Sequence, residues 1–179
     1  MVLMHLGLLT LVDFADLTFG MFFLHAFTFD PAWIAPKAAG EKITVYYDGH
    51  CGLCHGFVRF VLAEDRLGNT IAFSPLQGDH FAASVPSGQR GDLPDSVVVQ
   101  AHDGRLLTRS CAVLEIAQRL GGLWRVIAVI AGILPAKLRD SGYDFVAGIR
   151  RRIFGGPGGG WPLFPPPVRE RFHALPRRL

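Results

Sequence analysis

A chain of 179 residues has room for one domain of about 100–150 residues plus appendages, and with half of its residues hydrophobic and 18% charged it is rich in apolar side chains. Its mean hydropathy of +0.30 means that either the core is large for the chain or part of the sequence meets lipid. The formal charge of +3 hides an asymmetry: residues 1–118 hold seven Lys/Arg against twelve Asp/Glu, and residues 119–179 hold eleven against three. No aromatic–basic interleaving accompanies the basic part, so nucleic acid is excluded as the expected partner. Three cysteines, Cys51, Cys54 and Cys111, make a poor disulfide framework and fit a reactive pair plus a lone, buried cysteine.

Residues 1–29 contain no Lys or Arg and are long enough to cross a bilayer as a helix, but His5, Asp13, Asp16 and His25 interrupt them. The segment has neither the positive start nor the small-residue cleavage site of a signal peptide. Three readings stand: the last helix of a larger membrane bundle, a segment docked on a membrane or a partner, or an apolar helix packed on the following domain. The first two are favoured, which makes the protein membrane-associated or cytoplasmic. Asp13 and Asp16 read as carboxylates satisfied at a helix interface. Residues 1–35 form this apolar helical segment, and residues 36–41, with Pro36 and Gly40, form a linker.

The next segment, residues 42–155, reads as one α/β domain. Ile43 to Tyr47 is β-branched and aromatic and predicts a buried strand, broken by Asp48-Gly49. From Gly52 to about Asp65 apolar residues recur at helical steps, and Leu67-Gly68-Asn69 closes that helix. Thr70 to Phe73 predicts a second strand, ended by Ser74-Pro75. Residues 77–93 read as a loop with a short helix. Ser96 to Gln100 and Arg105 to Leu107 flank His102-Asp103-Gly104, a hairpin turn. Ser110 is the expected cap of a helix over residues 111–120, ended by Gly121-Gly122. Further helices follow over residues 123–134 and 137–154. A βαβ unit, then a hairpin and a helix, is the thioredoxin-like arrangement: a mixed four-stranded sheet with, here, extra C-terminal helices. Residues 156–179, rich in Gly, Pro and Arg, predict a disordered or loosely draped tail.

Cys51-Gly-Leu-Cys54 stands where a strand gives way to a helix. Two cysteines three apart at a helix start can close a short, reducible disulfide. The helix dipole and the unpaired N–H groups there favour the first sulfur as thiolate. Cys51 is therefore the expected exposed nucleophile, and Cys54, one turn in, the resolving thiol. Gly49 and Gly52 allow a sharp turn. His50, when protonated, can lower a thiol pKa or can be an exposed loop residue, and His55 reads as a surface residue. Cys51-Gly-Leu-Cys54-His55 also matches a haem-attachment string, but that chemistry needs export and a second axial ligand. A zinc site would need a second ligand pair that the spacing does not offer.

The segment Val45-Tyr-Tyr-Asp48-Gly49-His-Cys51-Gly-Leu-Cys54 resembles the signature of the DCC family, thioredoxin-like proteins named for one Asp and two Cys. Arg109-Ser110-x-Ala112 resembles a second family segment. Leu134-Pro135 through Arg139-Asp140, residues 143–147 and residues 150–155 resemble its closing helix. The resemblance covers about residues 42–155. It implies a thiol-disulfide oxidoreductase that cycles Cys51 and Cys54 through a mixed disulfide with protein or small-thiol substrates, with no bound cofactor and no metal. The alternative is a non-catalytic thioredoxin-like adaptor or zinc-binding module attached to a membrane partner.

Within that resemblance Asp48 either accepts the resolving thiol's proton or caps the turn. Pro94 is the candidate for the proline, cis in thioredoxin-like folds, that faces the dithiol; otherwise it is a loop proline ahead of a strand. Pro94, His50, Gly52 and Leu53 are the candidate substrate contacts. Cys111 stands where the family often has Asp, and reads as a buried structural thiol rather than a disulfide shuttle. Lys137, Arg139 and Arg150-Arg151-Arg152 form a basic cluster that is either a solvated face or a membrane-surface contact.

Overall fold

The computed structural model describes residues 7, 15–30, 33, 41–65, 68, 70–154 and 166–173. The chain divides into two compact units, Met1–Ile34 and Ala35–Leu179. In the first, helix α1 (Ala15–Thr28) leaves Phe19, Phe23, Leu24 and Phe27 exposed, and the Thr28 hydroxyl donates back to the Leu24 carbonyl at 2.8 Å. Among the described residues no helix is long and apolar enough to cross a membrane. Most of the expected span over residues 1–29 that precedes α1, and nearly all of the linker, lies outside the described residues.

The second unit is built on a four-stranded mixed sheet in the order β2-β1-β3-β4: β1 (Ile43–Tyr47), β2 (Ile71–Pro75), β3 (Val98–Gln100) and β4 (Leu106–Thr108). β1 and β2 run parallel with Ile43 opposite Ile71 and Tyr47 opposite Pro75. Parallel neighbours need a crossover, and helix α2 (Gly52–Glu64) supplies it. β3 lies antiparallel to β1, with Val99 opposite Val45, and β4 antiparallel to β3. The expected hairpin turn is present: Gly104 takes a φ of +82°, and the Asp103 carboxylate accepts the Arg105 N–H at 3.0 Å. The second strand runs two residues past its expected end, because Ser74 and Pro75 remain paired with Tyr46 and Tyr47.

Alternation along the strands sorts the core into two layers. Val45, Tyr47, Phe73 and Val99 pack with Val58 and Val61 of α2 and with Ala112 and Ile116 of α5 (Arg109–Leu120). On the other face Tyr46 and Val98 pack with Phe81 and Val85. Two short helices, α3 (Asp79–Ser84) and α4 (Ser87–Arg90), occupy the region read as a loop with one helix. Helix α6 (Gly122–Ile133) follows α5 directly, and α7 (Ala136–Phe154) closes the set as expected. This architecture is compatible with the thioredoxin-like expectation.

Several local expectations are corrected. α5 begins at Arg109, and Ser110 does not cap it; its hydroxyl and N–H both go to the Asp140 carboxylate on α7. Cys111 is exposed rather than buried, because it falls on the outer side of α5 while Ser110 and Ala112 face inward. The tail is not loosely draped throughout: residues 166–173, with the turn α8 (Pro166–Arg169), line the outer edge of β2. The Phe73 N–H donates to the Arg171 carbonyl and the Phe73 carbonyl accepts the His173 N–H, both at 2.8 Å, while the Phe73 and Phe172 rings stack at 5.4 Å. An unpaired strand edge gains partners there, which is the physical reason a short Pro-flanked segment stays ordered.

Candidate functional site

The end of β1 turns into α2 through Asp48, Gly49 and His50. One Asp48 carboxylate oxygen accepts the His50 N–H at 2.9 Å and the Gln77 side-chain amide at 3.0 Å, and the Asp48 carbonyl accepts the Cys51 N–H at 3.3 Å. Gln77 in turn accepts the Gly49 N–H at 3.1 Å, so one side-chain amide clamps both ends of the turn. The chain turns at Gly49-His50, and neither Gly49 nor Gly52 needs a positive φ to do so. A Cβ on Gly49 would come within 3.1 Å of the Gln77 side-chain oxygen.

Cys51 is the residue that caps the start of α2, in extended conformation with φ −106° and ψ 118°, and no side chain caps the first-turn amides. Its carbonyl accepts the His55 N–H at 3.1 Å, opening the helical ladder. Both cysteines are free thiols and both are buried, Cys51 at 3% and Cys54 at 4% exposure, which corrects the expectation of an exposed first sulfur. Burial pushes the Cys54 thiol up to about 12. The neighbouring Cys51 thiol adds to the rise, and the Arg150 guanidinium opposes it.

His55 is also corrected: it is buried, its ring meets Tyr47 edge-on at 5.9 Å, and its Nε2 lies 2.9 Å from the Gly49 carbonyl. A carbonyl only accepts, so Nε2 carries the proton of the neutral ring. Burial lowers the His55 pKa, with the Gly49 carbonyl acting in the opposite sense. His50 itself stays exposed.

The wall facing the dithiol comes from the segment just before β3 and from α7. Arg150 is buried to 3% exposure, and its guanidinium donates to the Asp95 carboxylate at 2.5 Å. Burial alone would lower the Arg150 pKa, but Asp95, Cys54 and Cys51 outweigh it and the pKa is raised. Arg150 therefore leaves the expected solvated cluster and belongs to the site. The Tyr143 hydroxyl accepts the Val97 N–H at 2.9 Å, just before β3. Burial raises the Tyr143 pKa. A cavity of about 300 Å³ opens beside Cys54, walled by Leu53 and Phe57 of α2, Val97, Val113, and Tyr143, Val146, Ala147 and Arg150 of α7.

Of the residues singled out in the sequence, Cys51, Cys54, Asp48, His50, Gly52 and Leu53 gather at the start of α2. Pro94 lacks the cis bond expected of it. No peptide bond among the described residues is cis, the Pro94 carbonyl accepts the Ser96 N–H at 2.7 Å, and Val97, three residues on, lines the cavity. Arg150, Tyr143, Val97 and Gln77 were not singled out for the site. Two carry a readable signal: Tyr143, Val146, Ala147 and Arg150 are spaced i, i+3, i+4, i+7, one face of a helix.

Residues 45–156 match the model of a family described as DCC1-like thiol-disulfide oxidoreductase. The chain is 34% identical to the uncharacterized protein YuxK of Bacillus subtilis over 110 residues, covering 61% of this chain and 78% of that protein. It is 33% identical to a chloroplastic DCC family protein of Arabidopsis thaliana over 117 residues, 64% of this chain and 66% of that protein. No solved structure matches.

Proposed function

Because the chain belongs to the DCC1-like thiol-disulfide oxidoreductase family, we propose that Cys51 and Cys54 cycle between dithiol and disulfide by exchange with protein or small-molecule thiols and disulfides. The observation that carries this reading is the pairing of two neighbouring thiols at an uncapped helix start with a buried guanidinium. Cys51, as thiolate at the start of α2, attacks one sulfur of a substrate disulfide and expels the other as a thiolate. Cys54 then attacks the mixed disulfide at Cys51, releasing the second substrate thiol and leaving the Cys51–Cys54 disulfide. Two electrons pass from the dithiol to the substrate. Arg150 favours the thiolate that Cys54 must briefly become, against the burial that keeps it protonated at rest.

Asp48 acts as a turn residue in this scheme, since its carboxylate is already engaged by His50 and Gln77. Asp48→Asn keeps an acceptor oxygen and is expected to retain activity within about threefold. Asp48→Ala loses that acceptor and costs roughly 1 kcal/mol of stability, seen in the denaturant midpoint. A base role for Asp48 predicts instead that Asn and Ala are equally inactive.

The direct test is Cys54→Ser, which cannot resolve and is expected to accumulate a mixed disulfide on Cys51 with a protein or small-thiol partner. Failure to trap any species, together with failure of the wild-type pair to equilibrate with a dithiol redox buffer, rejects the reading.

A further inference from the structure

The cavity reaches one sulfur of the pair and not the other: Cys54 lines it and Cys51 does not. Cys54 is otherwise buried, so this cavity offers an approach to the Cys54 sulfur, while Cys51 stands at the turn between β1 and α2. Apart from Cys54, Tyr143 and Arg150 the walls are hydrocarbon: Leu53, Phe57, Val97, Val113, Val146 and Ala147. The two polar groups are already turned to the protein, Tyr143 to the Val97 N–H and Arg150 to Asp95. A ligand there meets apolar surface and a sulfur.

We propose that this cavity binds a small thiol with an apolar body and delivers it to Cys54, so that the oxidised pair is re-reduced at Cys54 while disulfide substrates react at Cys51. The proposal rests on the redox reading of the pair and adds to it the class and entry point of the reductant. The thiolate of the small thiol attacks the Cys54 sulfur of the Cys51–Cys54 disulfide, forming a mixed disulfide on Cys54 and releasing Cys51 as thiolate. Cys51 is the better placed leaving group, because it sits at the helix start among unpaired N–H groups. A second molecule of the thiol then attacks the sulfur of the first. A symmetrical small disulfide leaves, and Cys54 departs as thiolate and takes up a proton. Two thiols are oxidised and one protein disulfide is reduced.

The test uses the oxidised full-length protein with two thiols of similar intrinsic reactivity, 2-phenylethanethiol and 2-mercaptoethanol. The phenyl thiol is expected to reduce the disulfide at least roughly tenfold faster, the preference that burial of one aromatic ring supplies. Quenching early with N-ethylmaleimide and mapping by fragment-ion mass spectrometry should place the phenylethylthio group on Cys54 and the maleimide on Cys51. Val146→Trp or Ala147→Phe, which narrow the cavity from α7, should bring the ratio of the two rates towards one. Equal rates in the wild type, or the reverse placement of adduct and maleimide, overturns the proposal. Reduction by dithiothreitol separates the two levels. If dithiothreitol cycles the pair but the phenyl thiol has no advantage, only the cavity proposal falls; if no reductant cycles it, the redox reading falls with it.

Discussion

Arg150 carries the largest electrostatic consequence at the level of single residues. A guanidinium buried to 3% exposure is costly unless it is paired, and its carboxylate partner Asp95 is itself 60% exposed at the side chain. The guanidinium in turn favours the ionised form of Cys54, against the burial that disfavours it. Arg150→Met should therefore make the couple more reducing by up to about 30 mV, a tenfold change in the exchange equilibrium. Arg150→Lys should recover part of that shift, and equilibration with glutathione measures both. His55 belongs to the same shell but acts through stability. Its folded-state pKa is lowered from 6.5 by burial, so the protein gains from the neutral ring above pH 6.5 and loses that gain as pH falls through the lowered value. The urea midpoint should decline below pH 6.5. His55→Gln, which keeps an N–H donor for the Gly49 carbonyl, should flatten that decline, as midpoints measured between about pH 7 and pH 5 will show.

The elements show how the three stretches that resemble family segments, far apart in sequence, are brought together. The end of β1 and start of α2 bring the thiols, the start of α5 brings Arg109 and Ser110, and α7 brings Asp140, Tyr143, Asp144 and Arg150. Ser110 binds Asp140 and Arg109 pairs with Asp144 at 3.3 Å, so α7 is pinned onto α5 two turns before it reaches the dithiol. Arg109 adopts a φ of +51°, a left-handed conformation unusual for a residue with a Cβ, where β4 gives way to α5. At the other end of α2 the chain is held by the tail. Asp65 follows the last residue of α2 and pairs with Arg171 at 2.6 Å, their side chains 2% and 11% exposed. Breaking a buried pair strands a charge, so Arg171→Met should cost about 3 kcal/mol. Asp65→Asn/Arg171→Met together should cost less than the sum of the single changes, because the double change leaves neither charge alone. Thermal or urea denaturation of the three variants checks this.

Across the whole molecule, the apolar excess is not all in the core. Val126, Val129, Ile130 and Ile133 form the outward stripe of α6 and are exposed, while Ala128 alone of that helix is buried. Phe19, Phe23 and Phe27 of α1 are exposed as well. The core itself is of ordinary design: one cluster between the sheet and α2 with α5, and a smaller one on the opposite face around Tyr46. The basic excess of residues 119–179 is likewise divided, since Arg150 and Arg171 are spent on internal pairs.

The strand-to-helix placement of the CxxC, the mixed four-stranded sheet and the hairpin at Asp103-Gly104 were legible in the sequence, because each rests on short-range rules. These are the period-2 and period-3.6 patterns, and a turn that needs a glycine at positive φ. Tertiary structure alone decided the burial of His55, the exposure of Cys111, the trans form of Pro94 and the burial of Arg150. The deciding quantity is which neighbour stands over the residue once the elements pack. Gly49 lies six positions before His55, but Asp95 is 55 from Arg150, Asp65 is 106 from Arg171, and Asp140 is 30 from Ser110. Local periodicity fixes the face a side chain takes on its own element, and only the packing of elements fixes what that face meets.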